Sequence, residues 1–202
     1  MITIVDYGLG NILAFRNIYS RLNIPIRIAS NYVELEKAKK LILPGVGAFD
    51  WAMSRLNASG MRDVLDQLVL GENTPVLGVC VGMQMMANGS HEGELPGLGW
   101  ITGHVRKLDE NRLQGKTRLP HMGWNSVCAR DHPLFNDIID PQFYFLHSYS
   151  FYPEFLTSIL GETTYGTRFA SVVHRDNIFG VQFHPEKSHN CGVQLLRNFA
   201  FL

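Results

Sequence analysis

Four short apolar runs, Ile2–Val5, Ile24–Ala29, Lys40–Leu43 and Val76–Val79, alternate with stretches of helical spacing, and that alternation narrows the fold more than any other feature. Strand, helix, strand, helix, strand is the pattern of a parallel sheet covered on both faces. Asn11 stands where it can cap a helix whose apolar residues Phe15, Ile18, Tyr19 and Leu22 share one side. Asn31, with Glu34 three residues on, opens a shorter helix. Helical patterns follow from Ala48 to Asn57 and from Met61 to Leu70. After a loop-like stretch from Gly89 to Gly99 the pattern turns to short strands: Ile101–Leu108, Asn125–Cys128, Phe143–Tyr149, Ala170–His174 and Ile178–Phe183. Asp176-Asn177 joins the last two as a hairpin. A helix from Asn190, with Val193, Leu196 and Phe199 on one stripe, closes the chain. The expectation is one α/β domain over residues 1–202, three-layered, with a mostly parallel central sheet and antiparallel strands in its C-terminal half. No repeat, low-complexity tract or linker divides it, and a chain of this length buries roughly 70% of its unfolded surface.

In sheets of this kind ligands bind beyond the carboxyl ends of the strands. Two sequence features fall there. One is Gly78-Val79-Cys80-Val81-Gly82, where a strand runs straight into a cysteine bracketed by glycines and then into a stretch, Val81 to Asn88, that can carry a helix. A sharp strand-to-helix turn of this sort exposes a nucleophile, and a thiol at a helix N-terminus is favoured as thiolate. Taken alone, Cys80 reads equally as a buried core residue. The other feature is Pro44-Gly45-Val46-Gly47, whose two glycines let the backbone amides around Val46 approach a substrate, or simply make a turn.

His184-Pro185-Glu186, at the end of a later apolar strand, decides between the readings of Cys80. A cysteine nucleophile needs a base to take its proton, and the base needs a carboxylate to orient it. His184 and Glu186 supply both across a stiffening proline. A lone histidine at a strand end is ordinarily structural; one paired with a cysteine elbow reads as catalytic.

Several classes are disfavoured. Eighteen basic and eighteen acidic residues leave a formal net charge of zero, with no electrostatic footprint for nucleic acid or an anionic membrane. No apolar run reaches the length of a membrane span, and the N-terminus lacks a basic signal-like segment, so a cytoplasmic protein is expected. Cys80, Cys128 and Cys191 make neither a disulfide framework nor a zinc knuckle. His184, His189 and Cys191 lack a fourth ligand, so no metal is expected, and no cofactor either. Gly8-Leu9-Gly10 has Leu13 where a dinucleotide fingerprint needs its third glycine.

Gly78-Val79-Cys80-Val81-Gly82 with Gln84, followed by His184-Pro185-Glu186, resembles the class I (triad) glutamine amidotransferases. Asp6 to Asn11, Pro44 to Phe49, Pro120 to Asn125 and Leu146 to Tyr149 narrow the resemblance to the family of glutaminase subunits of imidazole glycerol phosphate synthase, and it spans nearly the whole chain. It implies hydrolysis of L-glutamine to glutamate and ammonia, with Cys80 as nucleophile, His184 as proton shuttle and Glu186 as orienting carboxylate. The backbone amides of Val81 and of the Gly45-Val46-Gly47 stretch would hold the oxyanion. Gln84, Ser148 and Tyr149 would hold the amino-acid head of the substrate, against plain readings as a helix polar residue and an ordinary strand. The family passes its ammonia to a (β/α)-barrel cyclase, and this chain is too short to contain one, so a heterodimer is implied. Asn11, Met122, Trp124 and Lys187 are candidates for its docking face, although Trp124 reads equally as core. Val81, where leucine is more usual, and the run Ser188-His189-Asn190-Cys191 depart from the family pattern. They leave open a paralogue that supplies ammonia to a sugar-modifying enzyme of surface-polysaccharide synthesis. Another triad glutaminase is disfavoured by the Pro120–Asn125 stretch, and a noncatalytic redox or binding module built on Cys80 by the presence of both His184 and Glu186.

Overall fold

The computed structural model describes residues 1–113 and 118–202. Its N-terminal half alternates as expected: β1 (Ile2–Val5), α1 (Ile12–Arg21), β2 (Ile26–Ala29), α2 (Tyr32–Leu35), β3 (Leu41–Gly45), α3 (Phe49–Ala58), α4 (Arg62–Asp66, continued by wider π-type turns to Gly71), β4 (Val76–Cys80) and α5 (Val81–Gln84). The remainder is β5 (Gly89–Ser90), β6 (Gly103–Lys107), β7 (His121–Ser126), β8 (Cys128–Ala129), β9 (Gln142–His147), β10 (Tyr149–Pro153), β11 (Ile159–Tyr165), β12 (Thr167–Arg175), β13 (Ile178–Val181) and α6 (His189–Phe201).

Eight strands form one sheet in the order β2-β1-β3-β4-β13-β12-β11-β8. From β2 to β13 all neighbours are parallel, and β12, β11 and β8 extend the sheet antiparallel. The inner parallel strands β1, β3, β4 and β13 are buried throughout and almost wholly apolar, as strands covered on both faces must be, whereas the edge strand β2 is only partly covered and carries Arg27. The connections β1–β2 and β2–β3 run in opposite directions across the sheet, so right-handed crossovers place α1 and α2 on opposite faces. α6 joins α1, where the Tyr19 hydroxyl donates to the Leu196 carbonyl at 3.0 Å, and α4 packs with α2. Two small sheets stand apart from the main one: β10-β6-β5, and the antiparallel ribbon β7-β9.

Several expectations need correction, among them the strand Asn125–Cys128, which spans the break between β7 and β8. The helix drawn from Val81 to Asn88 stops after one turn at Gln84, because residues 85–101 fold back on themselves: the Leu98 amide bonds to the Met85 carbonyl and the Ile101 amide to that of Met86. The strand Phe143–Tyr149 is two strands that break at Ser148 and enter different sheets. β11 went unread, since Ile159–Tyr165 carries glycine, glutamate and threonines; it earns its place as the partner of β12. On α6 the buried stripe is Gly192, Leu195, Leu196 and Phe199, with Val193 only partly covered.

The turn after β4 depends on absent side chains. A Cβ at Gly82 would overlap the Leu43 carbonyl oxygen, one at Gly45 would overlap the Gly82 amide, and one at Gly78 would meet the Met86 methyl at 2.6 Å and the Gly82 carbonyl oxygen at 2.7 Å. At Gly45 and Gly82 backbone packs on backbone and cannot give way, and at Gly78 the Gly82 carbonyl stays in the path even if the Met86 methyl swings aside. Gly82→Ala is therefore expected to cost about 3 kcal/mol of stability by overpacking. Gly71→Ala, where a Cβ meets only Gln67 Cγ at 3.9 Å, should be neutral or mildly stabilising. Urea denaturation of both variants checks this; equal effects would show that the turn is not sterically locked.

Candidate active site

β3, β4 and β13 are neighbours and parallel, so their carboxyl ends open on one side of the sheet. Gly45 stands in register with Cys80, and Val181 with Val79. Cys80 ends β4 with φ +56° and ψ −111°, a left-handed conformation that costs a non-glycine residue about 1–3 kcal/mol. The close-packed glycines on either side hold it there. Because α5 is a single turn, the field at the thiol comes from its first-turn amides and not from a long helix dipole.

His184 follows β13. Its amide donates to the Tyr144 carbonyl at 2.8 Å, and its carbonyl accepts from the Ser188 hydroxyl at 2.6 Å, so the backbone is fixed on both sides. Pro185 starts a 3-10 turn that brings Glu186 back to the ring, where Oε1 lies 2.9 Å from Nδ1. Both side chains are buried, at 4% and 3% exposure. A carboxylate on Nδ1 makes that nitrogen the donor and turns Nε2 towards the sulfur. Burial alone would disfavour the charged ring. Hydrogen bonds to the Cys80 sulfur and to Glu186, with the attraction of both groups, outweigh it and raise the His184 pKa to about 10. The direction of the shift favours the imidazolium at neutral pH.

Cys80 and His184 line a cavity of about 350 Å³ together with Val46, Gly47, Val81, Gln84, Ser148, Tyr149 and Lys187, all residues singled out in the sequence. Gly47 has φ +86°, whereas Gly45 is needed for space and not for conformation. The amides of Val46 and Gly47 donate to no group among the described residues. Gln84 spends both side-chain N–H groups, on the Tyr149 carbonyl at 2.9 Å and on Gln182 Oε1 at 3.0 Å. Its own side-chain oxygen is left to the cavity.

Met122 and Trp124 lie on the outer face of the β7-β9 ribbon at 65% and 48% exposure, which removes the core reading of Trp124. Asn11 caps α1, accepting from the Ala14 amide at 3.3 Å, beyond the carboxyl end of β1. Lys187 lies over the Tyr144 ring, 5.8 Å from its centroid.

Sequence reading missed two residues. Glu92 lines the cavity and accepts from the Phe49 amide at 2.9 Å, capping α3 where Ala48 has no oxygen to offer. It lies in an aperiodic loop that carries no signal. Gln182 is wholly buried and points Nε2 at Cys80 Sγ at 3.8 Å. A polar residue inside the apolar run Gly180–Phe183 was the available clue.

A family model for class-I glutamine amidotransferases matches residues 3–202. A protein of Bdellovibrio bacteriovorus named imidazole glycerol phosphate synthase subunit HisH is 54% identical over 203 residues, covering 99% of each chain. Its namesake in Leptospira interrogans is 49% identical over the full length of both. Among solved structures, one described as a glutamine amidotransferase superposes with a TM-score of 0.76 at 17% identity, covering 100% of this chain and 99% of its own.

The raised His184 pKa has a signed consequence. Its contribution to stability is complete below the unfolded value of 6.5 and disappears as pH rises through about 10. Glu186→Gln is expected to cost about 3 kcal/mol near pH 6 and much less near pH 10.5. Thermal melts at the two pH values measure it; an undiminished difference at high pH would mean that His184 is not charged in the folded protein.

Proposed function

The chain belongs to the class I glutamine amidotransferase family, and from that premise we propose that it is the glutaminase subunit of an imidazole glycerol phosphate synthase. The observation that carries the reading is the buried grouping of Cys80, His184 and Glu186 at the mouth of a cavity with an amide wall at Gln84 and a carboxylate at Glu92. Relatives bearing that subunit name match from end to end, which supports the assignment of acceptor over the sugar-modifying paralogue.

In this mechanism the Cys80 thiolate attacks the side-chain carbonyl carbon of glutamine. The oxyanion is held by the amide of Val81 and one from the Val46–Gly47 segment. His184, already protonated, gives its Nε2 proton to the departing amine, and ammonia leaves a thioester on Cys80. A water, deprotonated by the same nitrogen, releases glutamate. Glu186 keeps the ring in the required orientation and stabilises its cationic form. The free oxygen of Gln84 and the carboxylate of Glu92 accept from the α-ammonium of the substrate, and the chain at Ser148 and Tyr149 closes around it. Ammonia passes to a separate (β/α)-barrel subunit docked over Asn11, Met122, Trp124 and Lys187.

Cys80→Ser is expected to abolish glutamine-dependent synthesis by the two-subunit complex and to leave ammonia-dependent synthesis at the wild-type rate. Both rates are measured on one preparation, and full glutamine-dependent turnover in the variant would overturn the reading.

The isolated chain is expected to hydrolyse glutamine slowly. Gly47 allows the neighbouring peptide to rotate at little cost, so one oxyanion donor can point away until the partner favours the inward arrangement. A single donor is worth roughly 3 kcal/mol of barrier, so addition of barrel and acceptor substrate should accelerate glutamate release by about 100-fold or more. Equal rates with and without the partner would show that Gly47 serves only a turn.

A further inference from the structure

The β7-β9 ribbon has two unlike faces. Met122 and Trp124 point outward, while His121, Asn125 and His147 point inward, where the His121 ring stacks on Phe145 and Tyr165 with centroids 4.6 and 4.0 Å away. The inward polar groups form one line. Asn125 Nδ2 is 3.2 Å from His121 Nε2, His121 Nδ1 is 3.0 Å from His147 Nε2, and His147 Nδ1 is 2.8 Å from the Tyr149 carbonyl oxygen.

That oxygen can only accept, so His147 carries its proton on Nδ1 and accepts at Nε2. His121 must then donate from Nδ1 and accept at Nε2 from the Asn125 amide. Every tautomer in the line follows from its last atom. The same carbonyl receives Gln84, which bonds to Gln182, which points at Cys80. A polar chain thus runs unbroken from the ribbon to the nucleophile.

We propose that His121 and His147 are positioning residues, a neutral imidazole pair that fixes the Tyr149 carbonyl and through it holds Gln84 for the amino-acid head of glutamine. The role rests on the glutaminase reading above. A line of this kind works only with uncharged rings, since a protonated His147 would confront the His121 N–H with another N–H. Burial, before any other influence, pushes His121 down to about 4 and His147 to about 3, and the cationic His184 nearby further disfavours charge on His147. Both lone pairs of the Tyr149 oxygen are occupied, so its peptide plane cannot turn without breaking a buried bond.

Two substitutions at His121 separate donor from bulk. His121→Asn keeps a donor near the Nδ1 position and loses the stacked ring; His121→Phe keeps the ring between Phe145 and Tyr165 and loses the donor. In the complex with the barrel subunit, His121→Phe is expected to raise KM for glutamine about tenfold with kcat changed by less than about threefold, and His121→Asn to restore KM to within about threefold of wild type. Equal KM values in the two variants, a fall in kcat alone, or failure of both to fold would overturn the assignment. Nitrogen-15 spectra of the wild-type imidazoles supply a readout independent of turnover, with both rings expected as neutral Nδ1–H tautomers from pH 5.5 to 8. A proton on His147 Nε2 would overturn the pair even if glutamine is hydrolysed. Failure of the wild-type complex to use glutamine would remove the glutaminase reading and this role with it, whatever the spectra show.

Discussion

Three backbones meet at Gly45, Gly78 and Gly82 with no room for a methyl group, and the active-site geometry depends on that contact. The end of β3 lies against the start of α5, so the backbone at Gly45 and the strained Cys80 form one rigid piece, and the uncrowded Gly47 segment leads out from it. The cost of holding a cysteine at φ +56° is spread over a core of buried parallel strands, which can supply it many times over. The same contact places the thiol beside His184, because β13 lies next to β4 in register. Catalytic placement here is a property of strand order and glycine spacing, not of loops.

Burial acts on two neighbouring histidines with opposite results. His184 and His147 both line the cavity, and desolvation is the largest influence on each. His184 has a carboxylate and a thiol sulfur as partners and stays charged; His147 has a carbonyl and another imidazole and stays neutral. On the reading proposed above, one moves a proton during turnover and the other does not, a division of labour that follows from their partners.

The parallel half of the fold was legible because periodicity, capping asparagines and strand-end glycines all pointed the same way. The grouping of Cys80 with His184 and Glu186 was legible because its signals are local: an elbow of five residues and a triplet. What escaped was what depends on tertiary partners. β11 has no pattern of its own and exists through β12. Ser148 separates two strands because residues on either side pair with different sheets, which no local signal reports. Glu92 and Gln182 are recognisable only once α3 and Gln84 have been brought to them.

Among the described residues the eight-stranded sheet ends in two edges with no further strand, and neither invites another chain. β8 is two residues long, too short to template pairing. At the opposite edge, the four-residue β2 carries Arg27 in mid-strand. A broad apolar sheet with long open margins would be prone to edge-to-edge aggregation. Short margins, one of them carrying a charged side chain, oppose such pairing in a protein whose activity we place in a two-subunit complex.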